Sequence, residues 1–336
     1  MKPHPILLIH GLGGRPEDWK EAGFVDFLIQ EGNYDPDLIR LFDYGYKRVY
    51  GVPKYNYQGD ITEIAHRLAD DPTITETLPY QVDQLSQESV AKGGPELVDI
   101  ITFSLGGLIA RYYMSCSFPN HWGTVYKGKV GKLIEIGVPN LGIHWLTLYQ
   151  RVLKGSWLWR LIVLLSRLPL LPINLRQDVQ TILSTLAGLQ ERTLKRLETK
   201  YDQPIDPDSL AGRQMTPGSR FLKWLNRAAK TPPGVKFYCL YGDFLLDLEI
   251  HLLGLHFRRC FSFGDFVVLP QSATTVPGAH PVMKAYENRF ELALGLPEQR
   301  TAVQAEALPE LPPYTHITLN DQPEVQGEVL KILEAD

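Results

Sequence analysis

VDIITFSLGGLIARYY, residues Val98–Tyr113, joins a buried strand to a helix through a single serine. The apolar and β-branched residues up to Phe103 predict the strand, and the small residues that follow the serine predict the helix. A sharp strand-to-helix turn lifts its serine, Ser104, above the sheet and places it at the amino end of the helix. Such a turn needs small neighbours: Gly106 meets this need, whereas Thr102 stands where a glycine is usual. Taken alone, the pattern also fits a serine that only caps a helix.

Strand-like and helix-like runs alternate along most of the chain. Short apolar runs predict strands, and longer runs with apolar residues at helical spacing predict helices. The predicted strands are Ile6–Ile9, DLIRLFDY (37–44), LVDIITF (97–103), KLIEIGV (132–138) and GVKFYCLYG (234–242). The predicted helices include Trp19–Glu31, DITEIAHRLADD (60–71), YQVDQLSQESVAKGG (80–94) and one that begins at Leu105. This alternation predicts an α/β fold with a mostly parallel sheet flanked by helices on both faces.

The alternation stops between residues 146 and 204, where helical patterns follow one another without strands. The most apolar run of the chain, WLWRLIVLLSRLPLL (157–171), lies here, and Arg160 and Arg167 share one face of a helix. The run is too short and too interrupted for a membrane-spanning helix, which needs about 20 apolar residues. It is interpreted either as a helix packed over the core or as a lid in peripheral contact with lipid. We therefore predict two parts of one core, 1–145 and 205–336, with an inserted helical lid or cap at 146–204.

Composition and motif content exclude several classes of function. The 336 residues carry a formal net charge of −4, so the basic face that nucleic-acid binding usually needs is not expected. Cys116, Cys239 and Cys260 are odd in number and far apart, which argues against a disulfide framework or a metal site. The sequence contains no metal or nucleotide motif, so we expect no cofactor. The first residues lack the regions of a signal peptide, which favours a cytoplasmic protein.

Five segments, in the same order along the chain, resemble motifs of the lipases and esterases of the α/β-hydrolase fold. They are LLIHGLGG (7–14), TFSLGGLIARYY (102–113), GVPNLG (137–142), MTPGSRFLKWLN (215–226) and GDFVVLPQSATTVPGA (264–279). The last two resemble segments of one bacterial lipase group. MTPGSRFLKWLN is similar to the stretch after the lid, and GDFVVLPQSATTVPGA is similar to the segment that carries the acid. Thr102, Val138, Asn140 and Phe266 depart from the motifs. The resemblance implies hydrolysis of carboxylic esters, of lipids or of smaller molecules, through a Ser–His–Asp triad.

The nucleophile and the base follow from the resemblance and from the chain order of this fold, which is serine, then acid, then histidine. Ser104 is the expected nucleophile, and His316, just before the last predicted helix, is the expected base. His280 is the alternative base, but it follows the acid segment so closely that little room remains for a final strand. The histidines interpreted as exposed side chains without a role are His4, His121 and His251.

The expected acid is Asp265, because it lies in the segment that resembles the acid-bearing motif. Asp243 and Asp247 are its rivals, since this fold usually places the acid directly after the strand predicted at 234–242. Asp265 remains the choice if residues 243–263 are an insertion between that strand and the acid loop.

Two backbone amides are expected to form the oxyanion hole, the pair of donors that stabilises the negative oxygen of a tetrahedral intermediate. Leu12 supplies one from the loop after the first strand, and Leu105 supplies the other at the amino end of the helix. His10 is expected to shape this loop rather than to react. Arg111 is interpreted as a structural anchor.

Three other functions fit the same residues. An acyltransferase would use the same acyl-enzyme and pass the acyl chain to an alcohol, and an amidase or thioesterase would act on another acyl bond. A non-catalytic protein of this fold would bind a lipid or a protein partner, because fold does not entail activity. The favoured partner is a small-molecule ester or a lipid.

Overall fold

The computed structural model describes residues 3–44, 47–49, 52–54, 59–66, 77–116, 125–143, 195–196, 206–252, 255–294 and 313–335. The strands of these residues are β1 (Ile6–Ile9), β2 (Ile39–Phe42), β3 (Lys47–Val49), β4 (Val52–Lys54), β5 (Val98–Phe103), β6 (Val130–Ile136), β7 (Lys236–Leu252), β8 (Leu255–Ser262) and β9 (Val282–Leu294). Their α-helices are α1 (Glu17–Glu21), α2 (Phe24–Gln30), α3 (Ile61–His66), α4 (Leu78–Ala91), α5 (Leu105–Met114), α6 (Leu210–Gln214), α7 (Arg220–Leu225), α8 (Pro270–Thr274) and α9 (Pro323–Glu334). The predicted cap lies outside the described residues, apart from 195–196.

Seven of these strands form one mostly parallel sheet in the order β2-β1-β5-β6-β7, and both β8 and β9 pair with β7. Every neighbouring pair is parallel except β7 and β8, which form an antiparallel hairpin. Strands β3 and β4 form a separate antiparallel pair. The predicted mostly parallel sheet is therefore confirmed. Strand β7 is much longer than predicted, because it continues past Gly242 into the hairpin.

The central strands are covered by helices on both faces of the sheet. Every residue of β1, β5 and β6 is buried, which explains why these strands are rich in apolar residues on both faces rather than alternating with exposed polar ones. Side chains alternate between the faces, so Ile6 and Leu8 pack with residues of α1, α2 and α9. Leu7 and Ile9 pack on the other face with residues of α3, α4 and α5. The core is thus two apolar layers separated by the sheet.

The helix predicted at Trp19–Glu31 is two helices in the structure. Gly23 separates α1 from α2 and has φ +69°, a left-handed conformation that glycine adopts without a steric penalty. The apolar spacing continues across this break, which is why the sequence pattern alone predicts one helix. Within the described residues, none of the helices combines the length and apolar character needed to cross a membrane.

Buried polar groups at the amino end of the parallel strands hold the last helix against the sheet. The ammonium of Lys132, on β6, donates to the carbonyl oxygens of Ile332 and Leu333 at 2.9 Å each and of Ala335 at 2.5 Å. A cation at the carboxyl end of a helix satisfies the terminal carbonyls and stabilises the helix dipole. Lys132 is therefore a structural cap for α9.

Candidate active site

Ser104 lies in the turn between β5 and α5, with φ +52° and ψ −122°. A positive φ is uncommon for a residue with a Cβ atom and costs on the order of 1 kcal/mol. Gly106 makes room for the turn, because a Cβ atom there would lie 2.6 Å from the carbonyl oxygen of Ile9. Thr102 is fully buried, and its hydroxyl donates to the carbonyl oxygen of Ile134 at 3.2 Å. The threonine in place of the usual glycine is therefore compatible with the turn.

Ser104, Asp265 and His316 come together at the carboxyl ends of the parallel strands. Nε2 of His316 lies 2.9 Å from Oγ of Ser104, and Nδ1 lies 2.7 Å from Oδ2 of Asp265. The three residues are at most 5% exposed. Because an ionised carboxylate only accepts hydrogen bonds, Nδ1 carries the proton and the lone pair of Nε2 faces the serine. This arrangement can remove the hydroxyl proton as Oγ attacks an acyl carbon.

The turn, the parallel sheet and the chain order of the three side chains decide the fold class. This is the α/β-hydrolase fold. Its nucleophile turn follows a central parallel strand, and its acid and histidine follow later in the chain. The predicted fold class is thus confirmed for the core, and the lid prediction concerns residues outside those that the structure describes.

The loop that carries Asp265 is held by its own backbone. Oδ1 of Asp265 accepts from the amides of Val267 at 3.0 Å and Val268 at 2.7 Å, which leaves Oδ2 for the imidazole. Phe266 has φ +71°, and its ring packs 4.8 Å from that of Phe244. A left-handed conformation at this position explains why the similar motif carries glycine there. In this chain, ring packing compensates for the strain.

The two rival aspartates have other partners. The Asp243 carboxylate accepts from the hydroxyl of Ser262 at 2.7 Å and from the amide of Gly264 at 3.0 Å, and burial raises its pKa. Asp247 pairs with Arg289 at 2.8 Å. Residues 243–252 continue β7, and residues 255–262 return beside it as β8, antiparallel in the same sheet, before the chain reaches the acid loop. Asp243 therefore anchors the start of that loop.

The two predicted oxyanion donors lie beside the serine turn. Leu105 is the first residue of α5, so its amide has no acceptor within the helix. Leu12 follows Gly11, whose Cβ position would lie 3.1 Å from Cβ of Ser104. The loop after β1 is thus packed directly against the serine.

Tyr44 contacts this loop, although no sequence motif predicts a role for it. Its hydroxyl donates to the carbonyl oxygen of Gly11 at 2.5 Å, and its ring stacks on that of His10 with centroids 4.0 Å apart and planes 12° apart. Nδ1 of His10 lies 3.0 Å from the same oxygen, and burial lowers the pKa of His10 to about 4. The run 37–44 reads only as a strand, so no sequence signal marks this tyrosine.

A buried polar network joins three of the five motif segments. Arg111 donates to the side-chain oxygens of Asn140 at 2.7 Å and Asn226 at 2.9 Å. Asn140 in turn donates to Glu135 at 2.7 Å. Burial raises the pKa of Glu135, and the nearby Arg111 guanidinium opposes this shift. The network supports the interpretation of Arg111 as a structural anchor, and Asn140, a departure from the similar motif, is one of its members.

The remaining histidines of the described residues do not contact the triad. His280 is exposed and lines a surface cavity of about 390 Å³ with Lys236 and Tyr238. His4 is not simply exposed, as predicted, because its Nδ1 lies 3.0 Å from the buried carboxylate of Asp99. His121 and the side chain of His251 lie outside the described residues. In the described part of the chain, no three His, Cys, Asp or Glu side chains are grouped to hold a metal ion.

Comparisons with known proteins find similarity only at the level of solved structures. The sequence matches no protein-family model and no curated protein. The mature lipase BlEst2 of Bacillus licheniformis aligns with a TM-score of 0.48 at 13% identity, over 98% of this chain and 92% of the lipase. EstA of Clostridium botulinum aligns with a TM-score of 0.43 at 13% identity, over 99% of this chain and 87% of EstA. The phospholipase PlaB of Legionella pneumophila aligns with a TM-score of 0.39 at 13% identity, over 98% of this chain and 62% of PlaB.

Proposed function

We propose that this protein is a serine hydrolase that cleaves carboxylic esters through an acyl-enzyme. The observation that carries the proposal is the pair of hydrogen bonds on His316, 2.9 Å to Ser104 Oγ and 2.7 Å to Asp265 Oδ2. A histidine with an orienting acid on one nitrogen and a serine hydroxyl on the other is the arrangement that activates a serine nucleophile.

The proposed reaction assigns one role to each group. Ser104 Oγ attacks the ester carbonyl carbon while Nε2 of His316 takes its proton, and Asp265 stabilises the imidazolium that forms. The amides of Leu12 and Leu105 donate to the oxyanion. The imidazolium then gives its proton to the leaving alcohol oxygen as the ester C–O bond breaks. Water attacks the acyl-enzyme in the same way, which releases the acid and returns the proton to Ser104.

The substrate class is proposed from the sequence of the cap. The apolar run at 157–171 favours acyl chains over sugars or charged peptides as the neighbours of the serine. We therefore propose esters of lipids or of other acyl compounds, with the cap in peripheral contact with a lipid surface. If the cap opens at such a surface, the rate should rise sharply once the substrate exceeds its solubility limit.

The deciding experiment compares wild type with Ser104→Ala on p-nitrophenyl esters of increasing acyl length. We expect the wild type to hydrolyse them and the variant to lose nearly all activity at an unchanged melting temperature. Covalent labelling by a fluorophosphonate, with the adduct located on Ser104 by mass spectrometry, tests the nucleophile without turnover. An added alcohol acceptor separates hydrolysis from acyl transfer through the product formed. A wild type that is folded, inert on every ester and unlabelled would refute the proposal.

A further inference from the structure

One peptide group beside the serine receives an unusual number of hydrogen bonds. The carbonyl oxygen of Gly11 accepts from the hydroxyl of Tyr44 at 2.5 Å, from Nδ1 of His10 at 3.0 Å and from the amide of Gly14 at 3.1 Å. A carbonyl oxygen has two lone pairs, so three donors leave it little freedom to move. The orientation of the Gly11–Leu12 peptide is therefore held from its oxygen side.

The other end of that peptide is the amide of Leu12. The peptide is trans, as are all those of the described residues, so its C=O and N–H point in opposite directions. Fixing the oxygen consequently fixes the direction of the Leu12 N–H. Donors on a carbonyl oxygen also polarise the peptide and strengthen its N–H as a donor, as in hydrogen-bonded chains.

The two side chains on the oxygen hold each other in place. Tyr44 and His10 are 4% and 2% exposed, and their rings are stacked. Because Nδ1 of His10 faces a carbonyl oxygen, it must carry the proton, and Nε2 keeps a lone pair that meets no partner among the described residues. Leaving a buried nitrogen unpaired costs on the order of 1 kcal/mol. His10 therefore lowers the stability of the fold relative to an apolar ring of similar size.

We infer that Tyr44 and His10 are positioning residues for the oxyanion hole, which hold and polarise the Gly11–Leu12 peptide so that the Leu12 N–H meets the developing negative charge. The inference rests on the proposed function. In this inference Tyr44 does not touch the substrate. It stabilises the transition state indirectly, by holding the peptide whose N–H is the oxyanion donor.

The test is Tyr44→Phe, which removes only the hydroxyl. Loss of a whole oxyanion donor costs about 10²–10³-fold in kcat, and a donor that is loosened rather than removed should cost less, about 10-fold. We expect kcat to fall by this factor with little change in KM, and the affinity for a trifluoromethyl ketone, which forms a tetrahedral adduct with the serine, to fall in parallel. Tyr126→Phe is the matched control, because its hydroxyl bonds the amide of Val130 at the opposite end of the sheet.

A second variant separates positioning from stability. His10→Phe keeps a ring against Tyr44, removes one donor from the Gly11 oxygen and removes the unpaired nitrogen. A fall in kcat without a fall in melting temperature supports the inference even if Tyr44→Phe folds poorly. Unchanged kcat in both variants, or a lower kcat with unchanged ketone affinity, overturns it while the proposed function stands on the loss of activity in Ser104→Ala. A wild type without ester hydrolysis or fluorophosphonate labelling overturns both.

Discussion

Among the described residues, two aspartate–histidine pairs lie at opposite ends of the parallel sheet, and one of the two histidines also contacts a serine hydroxyl. At the amino end, His4 Nδ1 lies 3.0 Å from the carboxylate of Asp99. At the carboxyl end, His316 Nδ1 lies 2.7 Å from the carboxylate of Asp265. Both aspartates are 1% exposed, and each also accepts at least one backbone amide. In the contact between imidazole and carboxylate, the two pairs are nearly the same.

The difference lies at the second nitrogen of each imidazole. Nε2 of His316 faces the hydroxyl of Ser104, held in a strained turn, whereas no described residue bonds Nε2 of His4, whose side chain is 26% exposed. The pair at the amino end therefore contributes to structure, and the pair at the carboxyl end is placed for chemistry. What makes the second pair a candidate active site is the serine hydroxyl at Nε2, the imidazole nitrogen that does not face the aspartate.

Each pair also lies against a glycine near one end of β6. A Cβ atom at Gly131 would lie 2.9 Å from an Asp99 oxygen, and one at Gly137 would lie 3.2 Å from an Asp265 oxygen and 3.3 Å from Nδ1 of His316. The same strand thus gives close approach to both pairs, at its start and just beyond its end.

Replacing the aspartate of each pair should give the largest effect on kcat and should show that the two pairs differ in function. Asp265→Asn loses the acceptor that sets the tautomer of His316, and kcat should fall by about 10⁴-fold. Asp99→Asn should leave kcat within a few-fold of wild type and lower the melting temperature instead. Steady-state kinetics and thermal denaturation of both variants give the comparison. Equal losses of kcat would mean that the pairs are not functionally distinct.

Acid should destabilise the site end of the sheet through His10. Its pKa is lowered to about 4 in the folded protein, from an ordinary value of 6.5, so below pH 6.5 the unfolded chain binds a proton that the folded one does not. Stability should therefore fall as the pH drops from 6.5 to 4, by about 3 kcal/mol in total from this group. Urea denaturation across this range should show a shallower pH dependence for His10→Phe. Parallel curves for the two proteins would contradict the expectation.

Gly131 of β6 and Gly137, just after this strand, provide a smaller test of the same contrast. Gly137→Ala should lower kcat by up to about 100-fold, because the added methyl group displaces Asp265 and His316 and an alanine is strained at φ +59°. Gly131→Ala crowds Asp99 and His4, so it should reduce stability and leave kcat nearly unchanged. Kinetics at a temperature where both variants are folded distinguish the two. A catalytic loss in Gly131→Ala would break the contrast.

The smallest effect is expected at Lys132, which belongs only to the amino end. Lys132→Met leaves the carbonyls of Ile332 and Leu333 in α9, and of Ala335 just after it, without their cation and should lower the free energy of unfolding by about 2 kcal/mol. Because this end is remote from Ser104, kcat per folded molecule should not change. Chemical denaturation together with active-site titration by a fluorophosphonate measures both quantities. A normal stability would show that water replaces the ammonium without penalty.

The central strands and the serine turn are predictable from the sequence because their physical requirements are local. A strand buried on both faces must be mostly apolar, as β1 and β5 are, and the turn after β5 must have a small residue at Gly106. The positions of Asp265 and His316 follow from chain order and resemblance rather than from pattern. Their hydrogen bonds span 51 and 212 residues of sequence separation, which no local pattern encodes.

Contacts made through backbone groups are the part that the sequence does not reveal. Tyr44 bonds a carbonyl oxygen, and any residue type supplies such an oxygen, so nothing in the motif at Gly11 specifies a tyrosine 33 residues later. The β7–β8 hairpin is likewise not predicted, because its pairing is made by backbone groups and the strand predicted at 234–242 ends where the hairpin begins. Phe266 is the converse case: the missing glycine marks a left-handed residue, and its compensation by Phe244 is visible only in three dimensions.

The β7–β8 hairpin offers a place where new sequence can be added to this protein. Its base is closed by backbone hydrogen bonds between Phe244 and both Phe263 and Gly264, at 2.9 and 2.8 Å, and by the Asp243 carboxylate. Leu252 and Leu255 are the described pair most remote from that base, and the entropic cost of a longer connection between them grows only slowly with its length. A reporter domain or an affinity peptide grafted there would be carried at a distance from the acid loop, with the geometry of Asp265 secured at the base.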